Sequence, residues 1–177
     1  FVFTKAPSFL RCFPQKTTLD AMLSEEISKE DERLKKAVYL TLLDLAFSKQ
    51  GACIGILAKE GNRHPALEGI KADTLLSAPS SEGMGRILKN VIGSHKFYEL
   101  PRKIRMSLCS IDGALVLDRA GTVLAAGAII RTNGSFLAGG GRTAAAQALA
   151  AEGIGIKVSS DGYVEIFTGH NPTLHFA

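Results

Sequence analysis

Apolar residues recur with two different periods along this chain, and each change of period marks an element. Between residues 34 and 49, Leu34, Ala37, Val38, Leu42, Leu45 and Ala46 fall at the i, i+3, i+4 spacing of one helix face. Leu40, Leu43 and Phe47 widen that stripe, so the helix is expected to be well buried. Gly51 follows as its expected C-terminal glycine. Residues 52–58 then read as a short apolar strand. A second helix is expected to open at Pro79-Ser80-Ser81-Glu82, with Met84, Ile87, Leu88, Val91 and Ile92 in register. Residues 95–105 read as a basic connector ended near Pro101.

Strand signals dominate the second half. Residues 111–117 and 122–130 are apolar on both alternating faces, which predicts strands covered on both sides. A tight turn over 118–121 joins them, with Asp118 as turn former, and Asn133-Gly134 is a further turn signal. Residues 143–152 are alanine-rich and predict a helix that Gly153 stops. Residues 154–158 and 163–167 predict a hairpin across a polar turn. The fold expected is α/β, a mixed central β-sheet of about five to seven strands flanked by helices. Residues 1–30 read as a lead-in with helical potential over 18–30, residues 31–170 as the domain, and residues 171–177 as a tail.

Composition narrows this picture. The 177 residues suit one domain, and 46% apolar with 21% charged content is ordinary for a globular protein. The net charge of +4 is scattered rather than clustered, which suits a small polyanion such as a nucleotide and does not point to nucleic acid. Cys12, Cys53 and Cys109 fit no zinc spacing and no disulfide framework, so a reducing cytoplasm is expected. No apolar run reaches the length of a membrane-spanning helix, and Pro7 and Pro14 interrupt the apolar start, which does not read as a signal peptide. Because the chain starts at Phe1 rather than Met, a fragment or processed chain is expected.

Two motifs carry chemistry. Gly139-Gly140-Gly141-Arg142-Thr143 puts three glycines at a helix start. Glycine lets a backbone approach a ligand closely, and a helix start offers unpaired N–H groups and partial positive charge, which together favour phosphate. Arg142 adds a planar donor for phosphate oxygens and Thr143 a hydroxyl. It is neither a P-loop nor a full dinucleotide fingerprint, and a plain connecting loop is the alternative. The second motif is Ser110-Ile111-Asp112-Gly113-Ala114. A carboxylate in an apolar strand is costly unless paired, capping or working, and Gly113 leaves room for a ligand or for another backbone. Asp112 could hold a divalent metal or activate a hydroxyl; capping a local turn is its other reading. His64, His95, His170 and His175 have no metal-ligand spacing and read as surface or structural.

As an ordered set these pieces resemble the diadenylate cyclase domain, the module also found at the N-terminus of the DNA-integrity scanning protein. The resemblance runs from about residue 34 to residue 167. It rests on the opening helix and Gly51-Ala52-Cys53-Ile54-Gly55-Ile56, on Asp112-Gly113-Ala114, on Ala125-Ala126-Gly127-Ala128, on the Gly-Arg helix start, and on the closing Val158-Ser159. It implies joining of two ATP molecules into cyclic di-AMP with release of pyrophosphate, dependent on Mg2+ or Mn2+. It also implies two protomers of a homo-oligomer meeting face to face, since each site holds one ATP. Asp112 would bind the metal and activate the 3′-hydroxyl, and Arg142 would share the catalytic work. Gly113 and Ala114 would line the nucleotide pocket, Gly140, Gly141, Arg142 and Thr143 would hold phosphates, and Ser159 would contact the nucleotide. One departure stands out. The family carries Arg-His-Arg where this chain reads Gly140-Gly141-Arg142-Thr143-Ala144, so a single Arg survives. Removing one electrostatic stabiliser costs roughly 10²–10³ in rate. Arg131, Arg119, Arg86 and the basic stretch 96–105 are candidate replacements. A nucleotide-sensing domain without turnover, and a purely structural or oligomerisation domain, are the competing readings.

Overall fold

The computed structural model describes residues 2–5, 10–13, 32–59, 64–68, 70–71, 74–76, 83–131, 140–169 and 171–176. A two-stranded antiparallel sheet, β1 (Val2–Lys5) with β2 (Leu10–Phe13), stands apart in sequence from the domain. The helical potential over 18–30, the helix-opening residues 79–82 and the Asn133-Gly134 turn lie outside the described residues. Then come α1 (Glu32–Phe47), β3 (Ala52–Leu57), α2 (Met84–Ile92), α3 (Arg102–Cys109), β4 (Ala114–Asp118), β5 (Val123–Ala128), α4 (Gly141–Ala150), β6 (Gly153–Val158), β7 (Val164–Thr168) and β8 (Asn171–Phe176). The main sheet has six strands in the order β5-β4-β3-β6-β7-β8. Only β3 and β4 run parallel; every other neighbouring pair is antiparallel. This is the mixed α/β sheet that the apolar pattern predicts. Within the segment 171–177, expected as a tail, residues 171–176 instead supply β8, paired along β7. Its alternation is too short and polar to announce a strand alone.

Alternation along β3 splits the core in two. Ala52, Ile54 and Ile56 face one side, where they join Leu34, Val38, Leu42 and Leu45 of α1 and Leu108 and Cys109 of α3. Cys53 and Leu57 face the other, with Ala146, Leu149 and Ala150 of α4 and Phe167 of β7. Burial of all six β3 residues and all five of β4 follows from helices on both faces. Gly55 of β3 and Gly155 of β6 are paired neighbours under α4. A Cβ built at Gly55 would lie 2.8 Å from Leu149 Cδ1, so α4 rests directly on the glycine pair. That close seat fixes where the start of α4 emerges at the end of the sheet.

Three sequence expectations are corrected. Residues 95–105 do not simply connect: Phe97–Glu99 forms one 3-10 turn, and α3 begins at Arg102 directly after Pro101. Proline tolerates a helix start because its missing N–H has no intrahelical role there. Ile104, Arg105, Leu108 and Cys109 face inward, and Arg105 stacks over Phe97 at 5.9 Å, so the buried face of α3 includes a cation that masks its periodicity. Second, the apolar positions of α2 do not form one buried face. Ile92 is buried, whereas Met84, Ile87 and Val91 are exposed. Third, Gly51 is not the C-terminal glycine of α1. The left-handed residue is Lys49 (φ 54°), with Gln50 N–H donating to Leu45 O at 3.0 Å and Lys49 N–H to Ala46 O at 3.3 Å, a Schellman closure. Among the described residues, no helix is long and apolar enough to cross a membrane.

Candidate functional site

The two motifs, nearly thirty residues apart in sequence, meet at one end of the sheet. A cavity of about 420 Å³ is lined by Cys53, Asp112, Gly113, Ala114, Ala128, Ile129, Ile130, Gly141, Arg142, Ala144 and Ala145. That volume lies in the range of small-molecule sites, about 300–1,000 Å³. The parallel β3–β4 pair sets Cys53 beside Ala114, and the antiparallel β4–β5 pair sets Ala114 beside Ala128. Asp112 and Gly113 precede β4, while Ile129 and Ile130 follow β5, so both segments rise from adjacent strand ends. The start of α4 closes the third side.

Local backbone chemistry explains the Asp-Gly-Ala motif. Asp112 is exposed and lies in a bend; the strand starts at Ala114, not at Ile111 as the apolar run predicts. Its carboxylate therefore avoids the cost of burial, and it makes no hydrogen bond or ion pair among the described residues. Gly113 holds φ +110°, and a Cβ there would lie 2.5 Å from the carbonyl carbon of Gly127, itself at φ +71°. Of the two roles open to Gly113, room for another backbone is the one observed. The close crossing coincides with register shifts between β4 and β5 and turns Asp112 to the pocket rim.

At the facing wall, Gly140 is the N-cap of α4, without a side-chain cap, and Gly141 and Arg142 are its first residues. The leading N–H groups of a helix have no partner within it, and they carry about half a positive charge. Arg142 is exposed and is the one cation among the described lining residues. Its guanidinium lies over Gly51 at the start of β3. Beneath the pocket, burial pushes the Cys53 thiol up to about 12, with the Arg142 charge acting the other way. Cys53 is therefore a neutral, apolar floor at neutral pH.

The structure thus brings Asp112, Gly113, Ala114, Gly141 and Arg142 together. It does not place Gly140, Thr143 or Ser159 in the lining. Gly140 adjoins it as the cap. Thr143 is half-buried one residue further along α4. Ser159 sits at the same end of the sheet, one residue past the Ala52–Val158 pair, but its hydroxyl serves its own hairpin turn. It donates to Asp161, holding that carboxyl below the usual range, and accepts from Tyr163 N–H at 3.1 Å. Arg131, Arg119, Arg86 and the stretch 96–105, candidates to replace the missing cations, do not line the cavity either. Sequence reasoning missed the apolar lining of exposed Ile129 and buried Ile130. Its signal was the apolar run over 122–130, which continues past the end of β5 to Ile129, 65% exposed.

A divalent metal would find one carboxylate here. No cluster of three or more His, Cys, Asp or Glu side chains exists among the described residues. Mg2+ is commonly held by one or two carboxylates plus substrate phosphates and water, so Asp112 fits a metal that arrives with a nucleotide rather than a resident ion. His64 takes no part. It is buried against Glu152, with Nδ1 3.2 Å from Oε2 and Nε2 3.1 Å from Lys59 O.

No protein-family model matches the chain, and no curated protein matches its sequence. Solved structures do. A hypothetical membrane spanning protein from Bacillus cereus superposes with a TM-score of 0.62 at 18% identity, over 92% of this chain and 72% of that one. DacA from Staphylococcus aureus, a diadenylate cyclase, superposes with a TM-score of 0.54 at 17% identity, over 82% of this chain and 87% of that one. At such identity the likeness is one of fold. The chain is a diadenylate cyclase-like α/β domain in its architecture.

Proposed function

We propose that this domain binds ATP in the cavity between Asp112 and Arg142 and condenses two ATP molecules into cyclic di-AMP. The observation that carries the reading is that residues of two separate motifs, Asp112 and Arg142 among them, line one pocket at a helix start. The triphosphate would lie along Gly141 and Arg142, where backbone N–H groups and a guanidinium offset its charge. The base would rest on Ile129 and Ile130. Asp112 would hold Mg2+ or Mn2+ brought by the phosphates, and it would accept the proton of the 3′-hydroxyl. The metal supplies charge neutralisation at the phosphates when bound.

In the reaction the 3′-oxygen of one ATP bonds to the α-phosphorus of the other, and the bond to the β-phosphate oxygen breaks. Pyrophosphate leaves, and the reciprocal attack closes the ring. One pocket holds one ATP, so two protomers would face each other with their pocket mouths opposed. The exposed Ile129 at the rim suits such an approach. Neither nucleic acid nor a membrane enters this scheme.

Incubation of the protein with ATP or GTP and Mn2+ or Mg2+, with products identified by mass, tests the reading. Cyclic di-AMP and pyrophosphate are expected from ATP. Arg142→Ala should lower the rate by about 10²–10³, as loss of one charge-stabilising donor does. Metal-dependent ATP binding without pyrophosphate release, at high enzyme and in a dimer, would establish a nucleotide-sensing domain instead. The missing His and Arg of the phosphate motif are what motivate that second reading. Absence of any nucleotide affinity would leave a structural domain.

A further inference from the structure

Gly51 stands where a helix-ending glycine is expected, but it does no such work. Lys49 occupies the left-handed position of that turn, and it is the one non-glycine residue with positive φ among those described. Gly51 has no positive φ, so its backbone is open to any residue. What it lacks is space. The three nearest atoms to a Cβ built there all belong to the Arg142 guanidinium: Nη1 at 2.5 Å, Cζ at 2.8 Å and Nη2 at 3.3 Å. The first two are closer than real Cβ atoms come to a heavy atom, so a side chain at 51 would displace the guanidinium.

We propose that Gly51 is a positioning residue for Arg142. The bare backbone at the start of β3 is a seat that the guanidinium occupies, and occupation of that seat keeps the charge on the pocket wall. The proposal rests on the reading of Arg142 as the phosphate-binding cation. Arg142 is held by no ion pair among the described residues, and its stem leaves the first turn of a helix, where it has several rotamers open. The seat narrows that choice. The same turn also reaches the other wall: Ser110 Oγ donates to Gln50 Oε1 at 2.9 Å, and Ser110 lies two residues before Asp112. The turn 49–51 therefore touches both segments that carry the site. Its glycine departs from the rule for helix ends because the space is needed for the arginine.

Gly51→Ala isolates this role, because the displaced atoms are the far end of a flexible side chain and the backbone needs no change. ATP affinity with Mn2+ is measured by calorimetry for the wild type, Gly51→Ala, Arg142→Ala and the double variant, with thermal melts of each. Loss of one charge-assisted contact corresponds to roughly tenfold or more in affinity. Gly51→Ala is expected to lose on that order while melting as the wild type does, and the double variant should bind no worse than Arg142→Ala alone. Wild-type affinity in Gly51→Ala, or losses that multiply in the double variant, would overturn the proposal. A second readout needs no nucleotide. The Arg142 Nε–H resonance, assigned by its absence in Arg142→Ala, should shift in Gly51→Ala. If the wild type fails to bind ATP, the reading of the pocket falls, and that resonance still decides the seat: an unshifted signal refutes it.

Discussion

Replacing Lys49 with glycine should stabilise this protein, against the usual direction of a glycine substitution. Lys49 is exposed at φ 54°, in a turn closed by its own N–H and that of Gln50. For an L-residue the left-handed conformation costs about 1–2 kcal/mol, which glycine does not bear. Glycine gives back about 0.5–1 kcal/mol through its greater freedom in the unfolded chain. The difference is a net gain of about 0.5–1 kcal/mol. For a chain of this size that corresponds to roughly 1–4 °C in Tm. Melting followed by far-ultraviolet circular dichroism measures it, with Lys49→Ala as the companion that removes the side chain and keeps the strain. Lys49→Gly should melt above both the wild type and Lys49→Ala. A Lys49→Gly protein that melts at or below Lys49→Ala would refute the reasoning, since the backbone would then not be the source of the effect. ATP binding should be untouched in this variant, because the Lys49 N–H and Gln50 N–H bonds that close the turn are backbone ones.

Two further outcomes follow from the site. Gly113→Ala places a Cβ 2.5 Å from the Gly127 carbonyl carbon at φ +110°, so backbone strain alone should cost about 1–3 kcal/mol; a urea melt reads the loss, and a wild-type midpoint would contradict the observed crossing. Cys53 and Cys109 are buried, and burial raises both thiols, Cys53 to about 12 from an ordinary 9.0. A raised folded-state value adds stability below the unfolded value that is lost as pH climbs through the folded one. Relative to Cys53→Ala/Cys109→Ala, the wild type should therefore lose stability between about pH 9 and about pH 12, and a difference constant across that window would exclude the effect.

Much of this architecture was readable from the chain, and what was not has identifiable causes. The stripe of α1 carries a clear helical period, and β3 and β4, covered on both faces, read as continuous apolar runs. Asp112 and Arg142 could be paired as one site only through the ordered set of motifs; the pairing in space depends on α4 resting on Gly55 and Gly155, which no local pattern reports. The helix α3 was hidden by Arg105, a cation on a buried face, and by Pro101, which reads equally as a stop and a start. The meaning of Gly51 was misread because glycine after a helix has a common explanation, and the true reason lies ninety residues away in the arginine resting on it. Ser159 failed to reach the pocket because its own turn claims its hydroxyl, a competition visible only in three dimensions.

The edge of the sheet has a consequence for assembly. At β5 two of the outward backbone groups are already taken: Leu76 N–H donates to Leu124 O at 3.0 Å, and Ala126 N–H donates to Thr74 O at 3.1 Å. An unguarded edge strand invites a second chain to add its own strand and so to propagate ribbons. The short crossing segment at Thr74–Leu76 denies that route on the side of the sheet that carries the pocket. Two copies meeting there must recognise each other through side chains and loop shape. At this edge, strand addition is no route to assembly.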